Sequence, residues 1–143
     1  MFRNRTWILV ALFSCLASVA TAEDYAVPTG VTVLTEEQLF NQLFGSTTYN
    51  RRWSEYCESP INDEKVVKLR GKHQKYGQYV GRCVIKGQLF CWEIDTPPMS
   101  KYSGECYSLA LDGELITKYG TDGKEFISRW GRVKLVSRNP ENL

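Results

Sequence analysis

The chain has 143 residues, 43% of them hydrophobic and 24% charged, with five cysteines and one histidine. Lys and Arg number 18 against 16 Asp and Glu, but Arg3 and Arg5 fall in a segment expected to be removed, which leaves the rest at a formal charge of zero. That balance argues against a nucleic-acid partner, which needs a net basic face, and a lone histidine is poor material for a zinc site or a catalytic triad.

Residues 1–22 read as a secretory signal peptide. Arg3 and Arg5 form the basic start, "WILVALFSCLASVA" the apolar run, and Ala20-Thr21-Ala22 the small-residue cleavage site. The run is short for a membrane span. The expected mature protein is therefore periplasmic or secreted and carries no transmembrane span. Residues 23–33 read as an extended N-terminal arm, 34–137 as a single β-rich domain, and 138–143 as a C-terminal tail. The domain opens with "LTEEQLFNQLFG", which predicts a helix over 35–44. Thr35 and Gln38 are spaced as a capping box, and Leu34 and Leu39 as a hydrophobic staple across it. Leu39, Phe40, Leu43 and Phe44 form an apolar stripe, and Gly45 stands where a C-terminal cap belongs.

After Gly45 the apolar period drops to two. Strands are predicted near 47–57, 64–70, 76–85, 88–94, 105–111, 114–119 and 124–136. Turn chemistry separates them at Lys86-Gly87, Asp112-Gly113 and Thr121-Asp122-Gly123. Short, evenly spaced strands predict a mainly β fold: a small antiparallel β-barrel or sandwich of about seven or eight strands with one N-terminal helix.

Four cysteines follow the leader: Cys57, Cys83, Cys91 and Cys106. An even set behind an export signal argues for disulfides, and no C-x-x-C supports a metal site. Strand parity orders the pairing. With a two-residue turn at Lys86-Gly87, Ile85 opposes Gln88 and Cys83 opposes Phe90. Cys83, Ile85, Phe90, Trp92 and Ile94 then share the apolar, inward face, and Cys91 points outward. With a turn at Asp112-Gly113, Leu111 opposes Glu114, and Cys106 also points outward. Tyr49, Trp53 and Cys57 share one parity, taken as inward. The expected bridges are Cys57–Cys83 inside and Cys91–Cys106 outside.

The same parity collects aromatic side chains. Trp53, Tyr79, Phe90, Trp92, Tyr107 and Trp130 are candidates to line a ligand cavity at one barrel mouth, or else simply to fill the interior. No catalytic residues, metal ligands or cofactor motif are assigned. His73, in the polar run "RGKHQKYG", is expected in an exposed turn, with no sign of a desolvated base. Glu55, Glu93, Asp95 and Glu105 are the carboxylates on which glycosidase chemistry would have to draw, and sequence alone brings no two together. Arg51-Arg52 and Lys68 to Lys75 read as solvated basic surface.

The segments "LFGSTTY", "GQYVGRCVIKGQLFCW" and "GECYSLALDGE", in that order, resemble a family of small exported proteobacterial proteins known only as a domain of unknown function. Leu89-Phe90-Cys91, Cys106 and Asp112-Gly113 carry the resemblance, which spans most of residues 34–120. It implies a small β-rich extracytoplasmic fold and no established activity. Cys83 stands where the family is expected to have an aromatic residue, commonly Trp, so Cys57–Cys83 reads as an addition in this sequence. The leading expectation is a non-enzymatic barrel that binds a small apolar ligand or a cell-envelope component. The alternative is a protein-binding module, such as an inhibitor of a cell-wall-lytic or proteolytic enzyme.

Overall fold

The structure is a computed structural model that describes residues 26–128, 131–140 and 142–143. The expected signal peptide and Trp130 lie outside the described residues. Helix α1 spans Glu36–Leu43. Nine strands follow among the described residues: β1 Thr47–Tyr49, β2 Trp53–Cys57, β3 Val66–His73, β4 Gly77–Lys86, β5 Leu89–Ile94, β6 Glu105–Asp112, β7 Leu115–Tyr119, β8 Glu125–Phe126 and β9 Val133–Val136. Every pairing is antiparallel. The order β6-β5-β4-β3-β2-β1-β9-β7 closes through β6–β7 into an eight-stranded barrel, and β8 hangs on β7 as an extra strand. Closure leaves no free sheet edge around the ring.

Helix α1 forms for the reasons its sequence gives. Thr35 caps it, with Gln38 N donating to Thr35 Oγ1 at 3.2 Å and Thr35 N donating to Gln38 Oε1 at 2.9 Å. Gly45 follows the C-cap Phe44 with φ +74°, a conformation that suits glycine. Leu39, Leu43 and Phe44 are buried in the same cluster as Cys57, Ile85 and Phe90, so α1 stoppers one end of the barrel. The Phe44 ring meets Phe90 edge-on at 6.1 Å, and Leu34 N donates to Leu109 O at 2.7 Å.

Both disulfides occur as parity demands: Cys57–Cys83 inside the barrel and Cys91–Cys106 on its outer wall. Cys91 and Cys106 are directly opposed on β5 and β6, with Cα atoms 4.1 Å apart. Cys57–Cys83 joins β2 to β4 across the concave side of β3. Its Cα atoms are 5.9 Å apart, where strands two apart on a flat sheet would lie about 9.5 Å from each other. The sheet is tightly coiled there.

Several expectations are corrected. The segment 47–57 is two strands, not one, because Asn50 Oδ1 accepts from Arg52 N and Trp53 N and turns the chain. Parity does not carry through that turn. Thr48, opposite Glu55, faces inward, whereas Tyr49 pairs with Ser54 on the outer face. The segment 124–136 likewise divides into β8 and β9. Both hairpins are slipped by two residues from the expected register. Lys86 opposes Leu89 and Asp112 opposes Leu115, so the turn pairs are Gly87-Gln88 and Gly113-Glu114. Gly87 (φ +59°) and Gly113 (φ +60°) supply the positive φ at the first turn position, as a type II′ turn requires. A two-residue slip leaves every side chain on its expected face, which is why the cysteine pairing held. His73 is not in an exposed turn. It ends β3, is 5% exposed, stacks on Tyr76 at 4.7 Å, and accepts from Lys75 N at Nδ1. Burial, with Arg52 and Lys75 nearby, holds its pKa below the ordinary histidine value.

Candidate functional site

The barrel end opposite α1 is built differently. Here β2 begins, β5 ends and β7 ends, and the 95–104 connection folds as a short 3-10 turn, Met99–Tyr102, that brings Met99 and Tyr102 to the opening. A cavity of about 230 Å³ lies in this mouth. Trp53, Trp92, Tyr102, Tyr107 and Phe126 supply aromatic wall, Ile94, Met99 and Val133 supply aliphatic wall, and Glu55, Glu105, Lys118 and Ser128 supply polar groups.

The aromatic wall continues the interior packing. Phe90 meets Trp92 edge-on at 4.7 Å, Trp92 meets Tyr107 at 6.2 Å, and Tyr107 meets Phe126 at 5.4 Å. Strand alternation places these rings, since Phe90 opposes Tyr107 and Trp92 opposes Glu105 across β5 and β6. Trp92 Nε1 is buried with no hydrogen-bond partner among the described residues.

The polar groups form one constellation. Glu55 is buried on β2, between Thr48 of β1 and Gly71 of β3 in register. Tyr79 on β4 opposes Gly71 and reaches across it, donating from its hydroxyl to Glu55 Oε1 at 2.7 Å. Glycine makes this crossing feasible: a Cβ at position 71 would stand 2.3 Å from the Tyr79 ring. Like the disulfide, this bond ties β2 to β4 over β3. Lys118 enters from β7, opposite Leu109. Its ammonium lies 3.8 Å from the centre of the Trp92 ring, 5.4 Å from Tyr107 and 5.5 Å from Trp53, a cage of three rings attracted to its charge. The Tyr107 hydroxyl donates to Glu105 Oε2.

Burial sets the proton affinities here. It raises the Glu55 pKa above the ordinary carboxylate value, against the opposing effects of Lys118 and the Tyr79 hydrogen bond. It lowers the Lys118 pKa below the ordinary lysine value, against Glu55 and Glu105. Tyr79 and Tyr107 are both raised, by burial first and then by the carboxylates they donate to. Desolvation disfavours each charged form.

Of the residues predicted to line a cavity, the structure brings Trp53, Trp92 and Tyr107 together at the mouth. Tyr79 sits behind Glu55 as its hydrogen-bond donor. Phe90 lies deeper and is fully buried against Phe44, so it is floor rather than wall. Sequence reasoning named Glu55 and Glu105 only as unplaced acids and missed Lys118. The available signal was parity: from Leu115 onward, Ile116 and Lys118 share the inward face of β7. A charge there conflicted with the apolar pattern, and such conflicts mark functional or strained positions.

Comparison of the chain with known protein families, curated proteins and solved structures finds no match in any of the three. Among the described residues no helix is long and apolar enough to cross a membrane.

Proposed function

We propose that the protein is an exported, non-enzymatic β-barrel that holds a small apolar ligand, or the apolar part of a cell-envelope component, in its mouth. The observation that carries this reading is the roughly 230 Å³ cavity walled by Trp53, Trp92, Tyr107, Ile94 and Met99 at the end that α1 does not stopper. Binding pockets are concave and mostly apolar with a few placed polar groups, which describes this wall. The volume is below the ~300–1,000 Å³ of pockets for drug-sized molecules, so the ligand is small, a single ring or a short chain. Export is supported by the leader-like residues 1–22 and by two disulfides, which persist in oxidising compartments. The resemblance to a family of small exported domains is in keeping with the same location.

The test is thermal unfolding of the disulfide-intact protein with a panel of small apolar compounds, toluene among them. A ligand at about 100 times its Kd adds roughly 2.7 kcal/mol of stability, a clear rise in Tm. Ile94→Trp, which fills the cavity, should remove that rise. If no compound moves Tm, or if the filled variant responds equally, the reading fails.

The alternative, a protein-binding module, draws on the mouth's outer rim, where Phe126 is half exposed and Ile127 is 81% exposed. Large exposed apolar side chains beside one another suit a protein contact. Under this reading Ile127→Asp abolishes partner binding and leaves ligand-induced stabilisation intact.

A further inference from the structure

Lys118 is more than a piece of apolar wall. Its ammonium sits inside the ring cage and its side chain lines the cavity. Among the described residues no hydrogen bond or ion pair ties the ammonium down. Glu55, Glu105 and Tyr107 line the same space. We propose that Lys118 captures a small apolar aldehyde at the barrel mouth by reversible imine formation. This deepens the ligand-binding reading and rests on it, because the cavity must first admit the apolar part of the aldehyde.

The chemistry balances without another reactant. The neutral amine adds its electron pair to the carbonyl carbon, forming the C–N bond while the carbonyl oxygen takes up a proton. The resulting carbinolamine loses that oxygen as water, with a second proton from a neighbouring acid, and the nitrogen gives up its remaining protons. The net change is amine plus aldehyde to imine plus water, with no oxidation.

The site suits each step. Burial favours the neutral, nucleophilic amine, and a desolvated lysine in an apolar pocket is an activated nucleophile. Burial equally favours the protonated carboxyl of Glu55, a proton source facing the same cavity. The rings of Trp53, Trp92 and Tyr107 pack around the amine and reduce its contact with the water that would drive the imine back. An aldehyde fits better than a ketone, because Trp53, Trp92 and Tyr107 already crowd the amine and a second carbon substituent would have to enter their cage.

The experiment treats the intact protein near neutral pH with benzaldehyde and sodium cyanoborohydride, then maps the trapped benzyl group by peptide mass spectrometry. Lys118 is expected to be modified before the exposed Lys68, Lys72 and Lys75, by ~10-fold or more in rate, as an activated amine reacts ahead of ordinary ones. Lys118→Arg keeps the charge but forms no stable imine, and should abolish only the fast adduct. Lys118→Met serves if the arginine variant does not fold. Toluene binding is measured alongside. If toluene binds and Lys118 is trapped no faster than the surface lysines, the imine proposal is overturned and the cavity reading stands. Trapping at Lys118 without toluene binding supports the imine and shows that the cavity holds an apolar group only when it is covalently anchored. Benzoate binding that depends on Lys118, with no adduct from benzaldehyde, overturns the proposal in favour of a counter-ion role.

Discussion

The two ends of the barrel solve the same problem in opposite ways. At one end α1 delivers Leu39, Leu43 and Phe44 into the ring of strands, and Phe90 is left with no exposed surface. At the other end nothing comparable enters. A 3-10 turn and the two-residue β8 border the opening, and the inward positions carry Glu55, Glu105 and Lys118 among the rings. A close-packed interior contributes stability in proportion to the apolar surface it buries, whereas buried charge detracts from it unless well paired. The stoppered end is thus where the fold draws its stability, and the mouth is where it tolerates groups chosen for something else.

Mutations at the two ends should separate these roles. The largest effect belongs to the stoppered end: Phe90→Ala should cost ~3–5 kcal/mol, the range for a buried phenylalanine. Trp53→Ala, half-buried at the mouth, should cost clearly less while removing ligand-induced stabilisation. Urea denaturation compares them directly, and equal losses would erase the distinction between the ends. Next comes the Cys57–Cys83 bridge, which closes a loop with a sequence separation of 26, against 15 for Cys91–Cys106. Replacing both cysteines of each pair with alanine should cost ~3.5 kcal/mol for the first and ~3 kcal/mol for the second in the chain-entropy picture. The inner pair should cost more still if its removal also leaves a core cavity.

Gly71→Ala tests the tie between β2 and β4 behind the mouth. The added methyl collides with the Tyr79 ring and should cost ~1–3 kcal/mol, as overpacking does. Because the crossing to Glu55 is then lost, ligand binding at the mouth should weaken too. A crystal structure of the variant with the Tyr79–Glu55 bond intact would contradict this account. A subtler effect is expected from pH. Burial places the folded-state pKa of Glu55 above its ordinary 4.5. As pH rises past that value the unfolded chain releases the proton first, so stability is lost until the folded-state pKa is passed. Lys118 and Tyr79 face Glu55 directly, and Glu105 lies across the cavity. Lys118 runs in the opposite sense, its contribution improving as pH rises toward its ordinary 10.5. Wild type should therefore lose stability relative to Glu55→Gln as pH rises from the ordinary carboxylate value of 4.5 upward. A difference in denaturation midpoint that stays flat over that rise would reject the argument. The smallest effect is local: Thr35→Ala removes the α1 cap and should cost ~1 kcal/mol, with no change at the mouth.

Much of this was legible before any coordinates. The capping box of α1, the inward face of β4 and β5, and both disulfide pairs follow from spacing alone, because side-chain direction repeats every two residues along a strand. That rule is robust to a register slip of two, which is what Gly87 and Gly113 introduced. It is not robust to a chain reversal. The Asn50 turn broke it and sent Tyr49 outward, and around His73 the exposed Lys68, Arg70 and Lys72 alternate with buried Leu69, Gly71 and His73, a period that the basic charge of the run masked.

The sequence by itself determined which residues could face one another: local period, turn glycines and cap chemistry are properties of neighbours along the chain. Only the tertiary structure decided which faces meet across the barrel. Glu55, Tyr79 and Lys118 come from β2, β4 and β7, and their proximity depends on the coiling of the sheet, on Gly71 admitting a ring, and on β9 closing the circle between β1 and β7. Closure is a long-range event set by the summed geometry of eight strands, and no local stretch of residues encodes it.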